Sequence, residues 1–114
     1  MYLYVELWKA RPAWLELPQG ERQAWMDNLL AGLQQQLGSS VEVVGFASND
    51  GDTPHSSGYE FFAAWRMPNK EVAEQFENFV EGASWHEYFE QVNARGSILE
   101  TEQFVSAHVR AESR

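Results

Sequence analysis

Two side chains of this 114-residue sequence, Glu6 and His86, have settings in which they could transfer a proton. Glu6 lies between Tyr4 and Trp8 in the stretch MYLYVELWKAR, so it shares one face of an expected β-strand with two aromatic rings. Burial on that face would remove water from the carboxylate, raise its pKa and suit it to proton transfer. His86 lies in the aromatic stretch GASWHEYFEQVNARG and is the second candidate.

Each candidate also has a structural explanation. Buried acids are usually paired, so Glu6 could instead form an ion pair with Arg66 across the sheet or with a residue of a partner subunit. Ser84 and Glu87 match the S/T-x-x-E capping box, which predicts a helix that stops, restarts after Ser84 and ends at Gly96. The histidine of that stretch would then be solvated or would contact a neighbouring element.

The sequence does not indicate metal or nucleotide chemistry. Its three histidines, His55, His86 and His108, show neither i, i+2 nor i, i+4 spacing, and it contains no cysteine. It also has no G-x-S-x-G elbow, phosphate-binding glycine loop or dinucleotide fingerprint. We therefore expect no metal site and no cofactor.

Composition predicts an acidic, water-soluble domain. Seventeen acidic and eight basic residues give a net charge of −9, and no basic cluster occurs. We therefore expect neither nucleic acid nor a membrane surface as a partner. Because no apolar run approaches the ~20 residues of a membrane span, we expect a cytoplasmic protein. The length of 114 residues predicts one domain, over residues 1–109, and the 44% of apolar residues excludes a disordered chain. The charged residues 110–114 are expected to form a frayed tail.

Hydrophobic periodicity predicts the order β-α-β-β-α-β. The expected strands cover residues 1–11, 41–48, 59–67 and 98–109, the first helix covers residues 21–37, and the second begins after the N-cap Asn69. This order is typical of the α+β ferredoxin-like fold, a four-stranded antiparallel sheet with two main helices on one face. A short helix is expected after the second main helix.

The sheet face opposite the helices is expected to be apolar. Such a face normally contacts a partner, and a second copy of the chain is the simplest one, so we predict a homodimer through the sheet faces. The residues assigned to that face by alternation are Tyr4, Glu6 and Trp8; Val44, Phe46 and Ser48; Glu60, Phe62, Ala64 and Arg66; and Phe104, Ser106 and His108.

A lone domain of this kind, with an aromatic sheet face and a kinked second helix, resembles the dimeric α/β-barrel superfamily. Ser84, His86 and Phe89 are similar to the Ser-x-His-aromatic segment of its antibiotic-biosynthesis-monooxygenase-like members. The resemblance implies that two sheets pack face to face and that each subunit keeps a small cavity between sheet and helices. It also implies cofactor-free oxygenase-like chemistry.

Three functional hypotheses remain open on the sequence alone. The first is a small enzyme that acts on an aromatic or polyketide-like molecule by oxygenase- or isomerase-like chemistry. The second is a non-catalytic ligand-binding dimer, and the third is a structural module whose own aromatic side chains fill the cavity. For the first hypothesis Glu6 and His86 are the catalytic candidates, and the expected ligand-binding residues are Tyr4, Trp8, Phe46, Phe62, Arg66, Trp85 and His108.

Overall fold

Four strands form one antiparallel sheet in the order β2-β3-β1-β4, in a computed structural model that describes residues 1–112. The strands are β1 (Tyr2–Ala10), β2 (Glu42–Ser48), β3 (Phe61–Met67) and β4 (Phe89–Ser97). β1 is central and pairs with both β3 and β4, whereas β2 is an edge strand beyond β3. The predicted ferredoxin-like α+β fold is confirmed.

Helices α2 (Gln19–Leu37) and α3 (Lys70–Gly82) cover one face of this sheet, and the short helix α1 (Pro12–Leu15) precedes them. α2 ends at Gly38, whose φ of 51° favours glycine. α3 begins after Asn69, whose side-chain oxygen accepts a hydrogen bond from the amide of Val72 at 3.0 Å. Both signals were expected from the sequence. These two signals set where α2 ends and where α3 begins.

The prediction of a last strand over residues 98–109 is wrong. β4 covers Phe89–Ser97, and the later residues form helix α5 (Thr101–Val109). A capping box begins α5, since the Glu100 side chain accepts from the backbone of Gln103 and the Gln103 side chain accepts from the amide of Glu100 at 2.8 Å. That E-x-x-Q signal was present in the sequence. It was missed because the apolar residues of this segment also fit a strand.

The short helix after α3 is confirmed, but its predicted length and cap are wrong. α4 covers only Trp85–Tyr88, and β4 follows without a break. Ser84 has a φ of 66° and its side chain makes no capping hydrogen bond; only its backbone carbonyl accepts from the amide of Glu87, at 3.1 Å. The left-handed backbone of Ser84 turns the chain between α3 and α4, and α4 leads directly into β4.

The prediction that Tyr4, Glu6 and Trp8 lie on the sheet face opposite the helices is wrong. Tyr4 is opposite Trp65 and Glu6 is opposite Ala63, so these residues share the face that the helices cover. Phe46 and Ser48 also belong to the covered face, and Phe104, Ser106 and His108 lie on α5. Alternation separates two faces of a strand, but both faces of β1 are apolar, and only packing against α2 and α3 decides which one is inside.

The face opposite the helices, here called the open face, remains apolar and carries different residues. β3 was assigned correctly, with Phe62, Ala64 and Arg66 on this face. Ion pairs flank it: Lys9 lies 3.3 Å from Glu90 and Arg66 lies 3.1 Å from Glu42. The apolar residues of the open face are Leu3, Val5, Leu7, Ala47, Phe62, Ala64, Val92 and Ala94.

Helix α5 lies away from the body of the domain. The radius of gyration is 16.4 Å, against about 13 Å for a compact domain of this size. The frayed tail expected over residues 110–114 stays a prediction: residues 111 and 112 have no regular structure, and residues 113 and 114 lie outside the described residues. No helix within residues 1–112 has both the length and the apolar character needed to cross a membrane.

Candidate functional site

A cavity of about 310 Å³ lies between the sheet and the two main helices. Strands β1, β2 and β3 supply its floor, and α2, α3 and α4 supply its walls. Half of the lining residues are aromatic, and they come from all three of these strands and from α3 and α4. The lining residues are Glu6, Trp8, Met26, Leu29, Leu30, Leu33, Phe46, Trp65, Phe76, Phe79, Val80 and Trp85.

Glu6 is the one charged side chain among these lining residues, and it is only 6% exposed. It lies on the central strand β1, where both neighbouring strands place a donor beside it. The indole nitrogen of Trp65 donates to Oε1 of Glu6 at 2.7 Å, and the amide nitrogen of Gln91 donates to Oε2 at 2.9 Å. Each carboxylate oxygen therefore accepts a hydrogen bond.

Gln91 connects Glu6 to the far wall of the cavity. Its Oε1 accepts from the indole nitrogen of Trp85 at 2.7 Å, while its Nε2 also donates to Oδ1 of Asn93 at 2.8 Å. An indole nitrogen can only donate, so the bond from Trp85 settles which end of the Gln91 amide faces which neighbour. The amide nitrogen is thereby directed at Glu6. Two indoles and one amide thus hold the carboxylate in a defined position.

Burial raises the pKa of Glu6, and the hydrogen bonds from Trp65 and Gln91 offset part of that shift. Within residues 1–112 no basic side chain lies at ion-pair distance from this carboxylate. The hypothesis that Glu6 pairs with Arg66 is wrong, because Arg66 lies on the open face and donates to Glu42 at 3.1 Å. Glu6 is thus a buried acid stabilised by neutral donors.

A second, more polar compartment of about 200 Å³ adjoins the cavity and shares Glu6 with it. The hydroxyl of Tyr4 donates to Oε2 of Glu77 at 3.1 Å, and Arg95 donates to the same oxygen at 2.8 Å. Burial, together with the charge of Glu77, raises the pKa of Tyr4, so the phenol stays protonated. The residues lining this compartment are Tyr4, Glu6, Phe76, Glu77, Val80, Glu81, His86, Gln91 and Asn93.

His86 lies on the solvent side of this second compartment. Its Nε2 is 3.7 Å from Oε2 of Glu81, and its side chain is 41% exposed. The two expected catalytic residues therefore line one compartment, but only Glu6 also reaches the apolar cavity.

The structure brings most of the predicted ligand-binding residues together. Trp8, Phe46 and Trp85 line the apolar cavity, and Tyr4 lines the polar compartment. The remaining three lie elsewhere: Phe62 and Arg66 on the open face, and His108 on α5, where its ring nitrogen is 2.8 Å from the carbonyl oxygen of Phe104.

Sequence reasoning missed the polar half of the site. Gln91 and Asn93 were assigned to a helix, and Trp65 was not among the expected site residues. The available signal was the alternation of Phe89, Gln91, Asn93 and Arg95 with residues of the other face. The inward positions of β4 are mostly polar, so the alternation of apolar and polar residues that usually indicates a strand was absent. No group of three potential metal ligands was found in the part of the chain that the structure describes.

Comparison with solved structures supports the fold. A variant chlorite dismutase from Candidatus Nitrospira defluvii is similar, with 16% identity and a TM-score of 0.66; the match covers 99% of this chain and 49% of that one. This chain therefore spans about half the length of that protein. A dimeric protein of unknown function with a ferredoxin-like fold, from Bacteroides fragilis NCTC 9343, is 13% identical with a TM-score of 0.51; the match covers 85% of this chain and 95% of that one.

Comparison with known sequences gives a family without an assigned activity. No curated protein is significantly similar in sequence to this chain. Residues 1–111 match a family described as "Family of unknown function (DUF6616)". The match extends over all four strands and all five helices described above. The chain therefore belongs to this family of unknown function.

Proposed function

We propose that the protein binds a small, mainly apolar organic molecule in the cavity between its sheet and its helices. The observation that carries this proposal is a 310 Å³ aromatic cavity with one buried, hydrogen-bonded carboxylate in its wall. Ligand sites usually combine an apolar lining with a few well-placed polar groups, in cavities of about 300 Å³ or more. The open volume also favours ligand binding over a structural module filled by its own aromatic side chains.

A dye-binding experiment tests this proposal. The uncharged dye phenylnaphthylamine should fluoresce on binding in the cavity, and Leu30→Trp should weaken its binding by about tenfold because the added ring fills the cavity mouth. Leu15→Trp is the matched control, since Leu15 is a similarly exposed helical leucine outside the cavity. The proposal fails if the dye does not bind or if the two variants bind it equally well.

Cofactor-free catalysis is a second candidate function, and Glu6 favours it. Its raised pKa and its two neutral donors suit a group that accepts a proton from a bound molecule. In isomerase-like chemistry Glu6 would return this proton to another carbon; in oxygenase-like chemistry the resulting carbanion would react with dioxygen. Native mass spectrometry of protein purified from its own cells would identify the bound molecule. If the protein is a catalyst, the bound molecule should exchange a hydrogen for deuterium in deuterated water. This exchange should be lost in Glu6→Gln.

We further propose that two copies pair through the open face. Its apolar residues are too numerous for a face that meets water. A groove of about 440 Å³ continues from Leu3, Val5 and Ala94 to Ile98 and Leu99, at the base of the outlying helix α5. The similar protein from Bacteroides fragilis is described as dimeric. A monomeric mass in analytical ultracentrifugation at micromolar concentration would contradict this proposal.

A further inference from the structure

We propose that the ligand of the cavity is an organic cation, a protonated amine on an aromatic or other apolar body, whose ammonium group lies against Glu6. This inference rests on the proposed function, because it names the chemical class of the molecule that the cavity would hold. Three independent features of the cavity carry it: its charge balance, the hydrogen-bonding capacity left open around Glu6, and its aromatic lining.

Glu6 has no cationic partner among the described residues. Neither the apolar cavity nor the polar compartment is lined by a lysine or an arginine among the described residues. Glu6 is 94% buried yet only neutral groups contact it through hydrogen bonds. Because a buried charge is usually compensated, a bound ammonium group would complete the site. A carboxylate or phosphate ligand would instead meet a like charge.

The Glu6 carboxylate has acceptor positions that remain free to take hydrogen bonds from further donors. An ionised carboxylate offers about four acceptor positions, and Trp65 and Gln91 occupy two of those of Glu6. Two of the neighbouring donors are already engaged: the indole nitrogen of Trp85 donates to Gln91, and the Gln91 amide donates to both Glu6 and Asn93. A ligand that donates hydrogen bonds fits this arrangement, and an ammonium group carries up to three donors.

The aromatic lining suits a positive charge as well as an apolar body. A cation within about 6 Å of an aromatic ring is attracted to the ring face, most strongly to that of tryptophan. Three tryptophans line the cavity together with Glu6, and the centroids of Trp8 and Trp85 are 5.6 Å apart in an edge-to-face pair. An amine that binds here replaces its contacts with water by contacts with aromatic ring faces and one carboxylate. The complete aromatic lining is Trp8, Phe46, Trp65, Phe76, Phe79 and Trp85.

Matched ligands test the class of the molecule separately from binding itself. Phenylethylamine, phenylethanol and phenylacetate share an aromatic body and differ in the end group; matched sets on naphthyl and decyl bodies extend the panel. Each is titrated against protein loaded with phenylnaphthylamine. We expect the amines to displace the dye at concentrations about tenfold lower than the alcohols, and the acids to displace it least.

Two substitutions test whether Glu6 causes the preference for amines over alcohols. Glu6→Gln keeps the shape of the side chain and removes its charge, so the amine should lose its advantage over the alcohol while the dye still binds. Glu74→Gln is the control, because Glu74 is exposed on α3 and lines neither compartment; it should keep the preference within about twofold.

The outcomes separate the two proposals. If the dye binds wild-type protein but the alcohols displace it as well as the amines do, or no amine displaces it, the cation inference is overturned and the ligand-binding proposal stands. If the dye does not bind at all, the ligand-binding proposal itself fails. The comparison of amines, alcohols and acids on wild-type protein decides the chemical class of the ligand even if Glu6→Gln does not fold.

Discussion

Replacing Glu6 by glutamine should remove a specific pH dependence of stability. The folded protein buries this carboxyl group, so its pKa is raised above the ordinary value of 4.5 that it has in the unfolded chain. Between these two values the folded state holds a proton that the unfolded state has released. The free energy of unfolding therefore falls as pH rises from 4.5 through the pKa of the folded state.

The size of this loss in unfolding free energy follows from the amount by which burial raises the pKa of Glu6. Each unit by which burial raises the pKa costs about 1.4 kcal/mol once the group has ionised in the folded state. Below pH 4.5 the contribution of Glu6 is fully favourable, and above its folded pKa the loss reaches a plateau. The hydrogen bonds from Trp65 and Gln91 limit the loss because they stabilise the ionised form.

Urea unfolding of wild-type protein and Glu6→Gln, followed by circular dichroism at a series of pH values from about 4 to about 9, measures the effect. Wild-type stability minus that of the variant should be largest at the acid end and fall to a plateau. Glu74→Gln is the control for the loss of one carboxylate, because Glu74 is exposed on α3. If both variants give the same pH profile relative to wild type, the argument from burial is refuted.

Three other substitutions test the fold and the assembly. Asn69→Ala should lower the free energy of unfolding by about 1 kcal/mol in urea denaturation because α3 loses its cap; Asn69→Asp, which keeps an acceptor, should be nearly neutral, and equal losses would contradict the cap. Ser84→Gly should raise that free energy by about 1 kcal/mol by relieving the left-handed backbone, and a decrease would show that the serine side chain stabilises the turn. Ala94→Lys should give a monomer in analytical ultracentrifugation, because it charges the open face, whereas Ala31→Lys on the exposed side of α2 should leave the dimer intact; a dimer in both variants would remove the open face as the interface.

The local signals that predicted the fold are short in range. The spacing of apolar residues in α2 and α3, the cap at Asn69 and the helix stop at Gly38 each depend on a few neighbouring residues. Such signals can be read without knowing what lies across the sheet. The E-x-x-Q box of α5 belongs to the same class, and its omission led to the wrong last strand.

The candidate site was predicted in part, for a similar reason. The position of Glu6 between aromatic residues is visible in the sequence and indicated a desolvated carboxylate. Its partners were not visible, because Trp65 and Gln91 lie 59 and 85 residues away along the chain. Strand β4 places polar side chains inward, and the alternation rule assumes that inward positions are apolar.

The sequence by itself determined the order of the strands and main helices up to α3, the cap of α3, the apolar character of both sheet faces and the unusual setting of Glu6. Only the tertiary structure decided which face of β1 the helices cover, which residues hold the carboxylate and where the cavity remains open. The physical reason is that a strand with two apolar faces has no preferred inside of its own. Packing against α2 and α3, and the registers of β1 with β3 and β4, make that choice.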